Sequence, residues 1–395
     1  MLKFITVWFG LGLALAPVLV PAAPYQPASD DIVLETLPIR NDPSLAALHD
    51  LRLAVQRNPH DTDVKLALTR AYIEAARRDG DPRFLGYAQS TLSQWQDGAP
   101  TPVPARVLRA IILQSLHHFS AALADLDAAL AQSPGNAQAL LTRATILTVI
   151  GRHAEAQRDC AALLRSAGEV TSTLCQGGVA SVTGRLTQAA SLAARALDGV
   201  PAGDQVSRQW ALTLLAETAA RQGDLQKAEQ YFGQALAADA ADRYARTAYC
   251  DLLLDMGKPQ QVLDLTAALT RDDNLLLRHA LALQALHAAS LQSALQKDVD
   301  ELAARHRAAA LRGDRTHLRE AARFHLVLLQ DATAALKLAQ ENWQVQKEPA
   351  DARILLESAI AAHDAAARTL VVAWMRHSGL ADAKLAALLK ATPGE

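Results

Sequence analysis

The chain has 395 residues, of which half are hydrophobic but only 4% aromatic, and its formal net charge is −2. Alanine and leucine supply most of the hydrophobic residues. Both are strong helix formers, which favours closely packed helices over a sheet or a disordered chain. No concentrated run of basic residues is present. This argues against nucleic-acid binding and against a polybasic membrane patch.

The first 22 residues have the pattern of a secretory signal peptide. A lysine gives a short positive region, an uncharged stretch extends to Leu15, and the small residues Val20 and Ala22 precede a cleavage site. We predict export to the periplasm, with cleavage after Ala22 or Ala23. The alternative is an uncleaved anchor, but the apolar stretch is short for a membrane span of about 20 residues. No stable membrane span is expected after cleavage.

Two segments follow the signal peptide. Residues 23–43 are predicted to form an extended mature N-terminus, and residues 44–102 to form divergent helical repeats. Amphipathic patterns within the second segment predict helices over 44–56 and 62–78, and a partner helix that ends near Trp95.

A repeated pattern occupies residues 103–276. Four glycines, each between two amphipathic stretches, are separated by 33, 39 and 34 residues, and His117 takes the equivalent position 34 residues before the first of them. A small residue recurs in the middle of each first helix, and a small or apolar residue follows each turn. Two antiparallel helices approach closely only where small residues meet, so the pattern predicts five helix pairs packed in series. The turn glycines are Gly151, Gly184, Gly223 and Gly257; the mid-helix residues are Ala110, Ala144, Gly177, Ala216 and Cys250; the residues after the turns are Ala122, Ala156, Ala189, Ala228 and Val262.

The best copy of the pattern resembles the tetratricopeptide repeat. It has Leu212-x₂-Leu215-Ala216-x₂-Ala219, then Gly223, then Ala228-x₃-Phe232. The family consensus is W-x₂-L-G-x₂-Y, then A-x₃-F, then P. The aromatic first position and the tyrosine are mostly leucine or alanine in this chain. The resemblance implies an all-α, right-handed superhelical solenoid of antiparallel helix pairs. The whole chain also resembles exported bacterial tetratricopeptide proteins of undefined role, which implies no particular activity.

Two of the three cysteines are placed to form a disulfide. Cys160 lies on a second helix and Cys175 on the following first helix, about equally far from the turn between them. Antiparallel helices would place them opposite one another, and export supplies an oxidising compartment. The alternative is two independent core cysteines. Cys250 occupies a small-residue position and is predicted to be a buried free thiol.

Residues 277–395 are predicted to form degenerate helical repeats and a C-terminal cap. The pattern predicts helices over 275–289 and 291–311, then two pairs with turns near Asp331 and Asp364. A last helix over 380–390 would cover the final apolar face, as a solenoid requires.

Motifs for catalysis are absent from the sequence. It has no glycine-rich phosphate-binding loop, no G-x-S-x-G nucleophile motif and no H-E-x-x-H zinc motif. We therefore predict no catalytic residue, no metal and no cofactor, and a protein that is not an enzyme. The alternative is an enzyme or metal-binding protein that uses the C-terminal histidines, such as His279 with His287 or His317 with His325.

The first helices of each pair line the inner side of the curve in the resembled family. Trp210 and Tyr244 take equivalent places in successive repeats, beside equivalent threonines. Aromatic contact area with adaptable hydrogen bonds suits a protein or peptide partner, although both rings could instead pack into the neighbouring repeat. The predicted function is a non-catalytic interaction or scaffolding module of the bacterial cell envelope; a purely structural spacer is a further alternative. The predicted groove residues are Gln138, Leu141, Thr145, Trp210, Thr213, Glu217, Arg221, Tyr244, Thr247 and Asp251.

Overall fold

The computed structural model of the protein describes residues 43–95 and 101–391. The predicted signal peptide, residues 1–22, lies outside the described residues, as does nearly all of 23–43. The chain divides into two compact units, Met1–Ala47 and Leu48–Glu395. The described part of the first unit is the beginning of one helix.

The described residues form twenty α-helices and no strand, so the predicted all-α class is confirmed. The helices up to residue 182 are α1 (Pro43–Arg57), α2 (Thr62–Asp79), α3 (Arg83–Thr91), α4 (Val103–Ser115), α5 (Phe119–Gln132), α6 (Ala137–Val149), α7 (His153–Ser166) and α8 (Gly168–Val182).

The middle helices are α9 (Leu186–Gly199), α10 (Gln205–Gln222), α11 (Leu225–Ala238), α12 (Arg243–Asp255), α13 (Pro259–Thr266), α14 (Asp273–Ala285) and α15 (Gln292–Leu311). The last helices are α16 (Leu318–Arg323), which continues as a π-helical turn (Phe324–Leu328), α17 (Ala332–Val345), α18 (Pro349–Ala361), α19 (Ala365–Ser378) and α20 (Ala383–Ala391).

Consecutive helices pack in pairs, from α2 with α3 to α18 with α19, and α20 follows the last pair. Asparagine or aspartate is the N-cap residue of several of the first helices. Asn136, Asp204, Asp242 and Asp272 each accept a hydrogen bond from the backbone N–H three residues later. These caps satisfy N–H groups that have no partner within the helix, and they fix where each first helix starts.

The turn between the two helices of a pair contains a residue in the left-handed backbone conformation, with a positive φ angle. Glycine occupies it in four successive pairs, and His117, which the sequence places in the same position, has a φ of 57°. Residues with a side chain rarely adopt this conformation, so each instance marks a constrained turn. The same conformation recurs in the later turns α14–α15, α16–α17 and α18–α19, which shows that helix pairs continue to the C-terminal end of the described chain. These residues are His287, Gln330 and His363, with φ values of 50°, 55° and 55°.

The register predicted from the sequence is confirmed by burial. Every mid-helix small residue of the five central pairs is buried, and every residue predicted to follow a turn is fully buried. At Gly177 a Cβ atom would lie 3.0 Å from the Leu214 side chain, so a larger residue there would separate α8 from α10.

The predicted disulfide is present. Cys160 of α7 and Cys175 of α8 are bonded, with their Cα atoms 5.3 Å apart. Cys250 is a buried free cysteine, as the sequence predicts. Burial, reinforced by the negative charge of Asp251, raises the pKa of the Cys250 thiol to about 12, so this thiol stays protonated and unreactive near neutral pH.

Removing the disulfide is expected to lower the free energy of unfolding by about 3 kcal/mol, because the oxidised chain has a smaller unfolded ensemble. Urea denaturation of the Cys160→Ala, Cys175→Ala double variant measures this loss. A reducing agent should cause the same loss in the wild type and no change in the double variant. Equal stability of the oxidised and reduced wild type would contradict the prediction, as would a Cys160–Cys250 link in non-reducing peptide maps.

Candidate partner-binding surface

The inner face is defined here as the surface of α6, α10 and α12 that carries the predicted groove residues. Three of them form a connected cluster. The Tyr244 hydroxyl donates a hydrogen bond to Glu217 across 2.5 Å, and Arg221 pairs with the other Glu217 oxygen at 3.3 Å. Arg221 also donates to Ser181 of α8. Tyr244 nevertheless remains 61% exposed. The structure therefore brings Glu217, Arg221 and Tyr244 together and leaves an aromatic ring accessible.

Trp210 has a different environment from Tyr244. It is half-buried and packs against two apolar clusters, one that contains Leu174 and Leu214 and one that contains Leu140 and Val179. Truncation of Trp210 would therefore remove core packing as well as any contact with a partner. Tyr244 is the exposed aromatic of the two.

The polar groove residues are engaged mainly within their own helices. Thr213 is buried and accepts a hydrogen bond from Gln209, and Thr145 donates to the Leu141 carbonyl at 2.9 Å. Gln138 donates to Thr142 at 3.1 Å. Among the described residues, Gln138, Leu141 and Thr145 of α6 are not joined by a hydrogen bond to the cluster around Tyr244. Thr247 is half-buried on α12.

Asp251 forms ion pairs with later helices. Both of its oxygens accept from Arg278, at 2.9 and 2.8 Å, and one also accepts from Arg323 at 2.5 Å. Although burial opposes ionisation, these two guanidinium groups hold the Asp251 pKa well below its ordinary value. Arg278 is only 5% exposed, so Asp251 supplies a counter-charge for a buried cation.

The ion pairs continue through Arg319 of α16. Arg319 lies 3.1 Å from Glu320 and 3.3 Å from both Glu348 and Asp351, and Glu320 also lies 3.9 Å from Arg278. Burial opposes ionisation of Glu320, but the charges of Arg319 and Arg278 lower its pKa to about 2. Burial and the neighbouring Asp351 instead raise the pKa of Glu348 to about 7. Arg319 thus pairs with three carboxylates, and burial raises the pKa of two of them, Glu348 and Asp351.

The charge of Glu348 also acts on the exposed tyrosine. The negative charge of Glu217, with a smaller contribution from Glu348, raises the pKa of the Tyr244 hydroxyl well above its ordinary value. Tyr244 is therefore neutral at physiological pH and acts as a hydrogen-bond donor.

A second set of ion pairs joins α12 to the C-terminal helices. Asp255 accepts two hydrogen bonds from Arg353 of α18, at 2.6 and 2.8 Å, and one from Lys384 of α20 at 2.9 Å. Burial opposes ionisation of Asp255, but these cations lower its pKa. These partners could not be predicted from the sequence because they lie 98 and 129 residues away along the chain. Periodicity within a repeat carries no signal at that distance.

Helix pairs packed in series are the feature that the sequence resemblance implied, and the small residues of the repeat pattern are buried. The fold is tetratricopeptide-like. No protein-family model matches the sequence of the chain, and no curated protein matches it in sequence.

Solved structures similar to this tetratricopeptide-like chain include a tetratricopeptide repeat protein from Parabacteroides merdae, with 14% identity, a TM-score of 0.38, and 73% of this chain and 98% of that chain covered. The Rap protein complexed with competence and sporulation factor has 14% identity and a TM-score of 0.48, with 76% and 91% covered. Yeast Tom70 has 13% identity and a TM-score of 0.36, with 88% and 62% covered. These likenesses concern the fold alone.

Within residues 43–95 and 101–391, no group of three or more histidine, cysteine, aspartate or glutamate side chains is arranged to hold a metal ion. Two of the C-terminal histidines instead lie beside single carboxylates. His279 is 2.6 Å from Asp298, and His325 is 3.9 Å from Asp331.

None of the helices in the described part of the chain is both long enough and apolar enough to cross a membrane.

Proposed function

We propose that the chain is a non-catalytic protein-interaction module that binds a peptide or protein partner through its inner face. The observation that carries this proposal is the exposure of Tyr244. Tyr244 as a whole residue is 61% exposed on the inner face, and the adjacent Ala245 is fully buried. Tyrosine supplies a large, rigid contact area at little cost in conformational entropy, and it is enriched among residues that dominate protein interfaces.

The polar groups around Tyr244 suit a partner with hydrogen-bond donors. Glu217 already accepts from Tyr244 and from Arg221, but each carboxylate oxygen can accept more than one hydrogen bond. Partner backbone N–H groups or basic side chains would therefore find acceptors beside the exposed ring.

Export to the periplasm is the proposed setting. The signal-peptide pattern and the Cys160–Cys175 disulfide support it, because disulfides persist in oxidising compartments and are rare in the cytosol of mesophiles. In this setting the protein would serve as an assembly or scaffolding factor of the cell envelope.

Affinity capture from a periplasmic extract, followed by quantitative mass spectrometry, tests the proposal. Wild-type chain is compared with Tyr244→Ala and with Tyr87→Ala, which removes a second exposed tyrosine from α3, far from the inner face in sequence. A genuine inner-face partner should be captured by the wild type and by Tyr87→Ala, and depleted by Tyr244→Ala. If every captured protein is retained equally by all three, the inner face is not the binding surface.

A further inference from the structure

The turn inside the first complete helix pair lies against helices that follow much later in the chain. Arg243, at the start of α12, donates a hydrogen bond to the Arg78 carbonyl at 2.8 Å, across 165 residues of sequence. A Cβ atom on Gly80 in the same turn would lie 2.6 Å from the Asp272 carboxylate, which caps α14. The α2–α3 turn is therefore in direct contact with the starts of α12 and α14.

The α6–α7 turn makes both polar and apolar contact with the C-terminal helices. The Val149 carbonyl accepts a hydrogen bond from the backbone N–H of Lys347, just before α18, at 2.8 Å. The Trp374 ring of α19 lies so close to Gly151 that a Cβ atom there would overlap it. His153 also faces this ring, with centroids 6.1 Å apart. Packing as well as backbone conformation therefore excludes a side chain at position 151.

The next two turns meet the connection between α19 and α20 and the start of α20. A Cβ atom on Gly184 would overlap the carbonyl oxygen of Gly379, and one on Gly223 would lie 3.3 Å from the Ala383 Cβ atom. The α12–α13 turn differs. Gly257 also has a positive φ, of 68°, but no other part of the described chain lies within 4 Å of the place where its Cβ atom would be.

All these contacts have the same geometry. Turns inside early helix pairs meet the ends of later helices and the segments that connect later pairs. Asp255, at the end of α12, follows this rule, since it pairs with Arg353 near the start of α18 and with Lys384 near the start of α20. Such contacts arise in a superhelix whose second turn stacks directly on its first.

In an ideal solenoid each repeat contacts only its neighbours, so its stability is a sum of local terms. Direct contact between superhelical turns adds coupling between distant pairs. We propose that this stacking locks the helix pairs from α2 onward into one rigid unit that unfolds cooperatively, with its inner face preformed. A preformed surface loses little conformational freedom when it binds. The lock concerns the folded chain itself, so it holds whether or not the proposed function is correct.

Alanine substitution at the turn glycines tests the lock, with hydrogen–deuterium exchange of the backbone amides as the readout. Alanine strains the backbone in a similar way at positions 184 and 257, because both glycines have positive φ. At position 184 alone the methyl group also meets a later segment. Gly184→Ala is expected to accelerate exchange about tenfold or more in α19–α20 as well as in α8–α9. Gly257→Ala is the matched control, and its effect should stay within α12–α13 and the helices next to them.

Trp374→Ala tests the lock from the other side without straining a turn, and it serves if Gly184→Ala does not fold. It should accelerate exchange in α6–α7, whose turn holds Gly151. Leu370→Ala, at a position on the same helix that is 45% exposed, is the control and should leave α6–α7 unchanged. The lock is rejected if Gly184→Ala leaves α19–α20 unchanged, or if the effect of Trp374→Ala is confined to helices adjacent to α19 in sequence. Neither measurement involves a partner, so its failure is distinguishable from failure of the capture experiment.

Discussion

Replacing Asp251 by alanine should lower the free energy of unfolding by about 3 kcal/mol or more. The substitution leaves Arg278 buried without its bidentate partner and removes a counter-charge from Arg323. Breaking a buried ion pair by removal of one partner is much more costly than losing an exposed pair, since a charge is left in a poorly solvated site. Chemical denaturation followed by circular dichroism measures the loss.

The pH dependence of the Asp251 effect has a defined sign. The Asp251 pKa is lowered in the folded state, so the stabilisation is fully present above its ordinary value of 3.8 and is lost as the pH falls through the lower folded value. The difference between wild type and Asp251→Ala should therefore shrink in acid. Asp264→Ala, an exposed aspartate on α13, is the control and should change stability by less than about 0.5 kcal/mol. A similarly small loss for Asp251→Ala would show that its ion pairs with Arg278 and Arg323 do not stabilise the folded chain.

Replacing Phe232 by alanine should cost about 3–5 kcal/mol, the range for deleting a buried aromatic side chain. Phe232 is 2% exposed, stacks on Tyr249 with ring centroids 5.6 Å apart, and belongs to a buried cluster with Ala216 and Ala228. The small alanines cannot move in to fill the space. Thermal and urea denaturation both report the loss.

Phe232→Leu is the graded control for this position. It keeps most of the apolar volume and should cost clearly less than Phe232→Ala. Equal losses for the two variants, or a loss below about 1 kcal/mol for alanine, would contradict the assignment of Phe232 to the buried cluster that joins α10, α11 and α12.

The helix pairs could be predicted from sequence because their determinants are local. Small residues recur at fixed spacing, and the turn glycines adopt positive φ where the pattern places them. Helix boundaries were predicted less accurately after residue 276. The sequence predicted a helix over 275–289, whereas α14 ends at Ala285, because His287 adopts the left-handed conformation that glycine provides in earlier turns. A histidine carries no clear signal for such a turn.

The relation of the inner face to the C-terminal helices could not be predicted. The sequence placed Asp251 on that face but gave no partner for it, and Arg323 lies 72 residues away along the chain. Contacts at this separation depend on small rotations that accumulate from one helix pair to the next. No repeat position encodes that sum, so the partners of Asp251 and Asp255 on the later helices could not be predicted.

Tyr244 is a better position than Trp210 for testing the groove prediction. Trp210→Ala would disturb two apolar clusters, so weakened binding would be confounded by lost stability. The exposed Tyr244 ring avoids this difficulty.

The most direct measurement is the Kd of a captured partner for Tyr244→Ala, determined by calorimetry beside the melting temperature of the same variant. The inner-face account predicts a loss of about 2 kcal/mol of binding free energy, roughly thirtyfold in Kd, with the melting temperature nearly unchanged. An unchanged Kd would contradict the account. So would a large fall in melting temperature with binding intact, since Tyr244 would then stabilise the fold and contribute nothing to recognition of the partner.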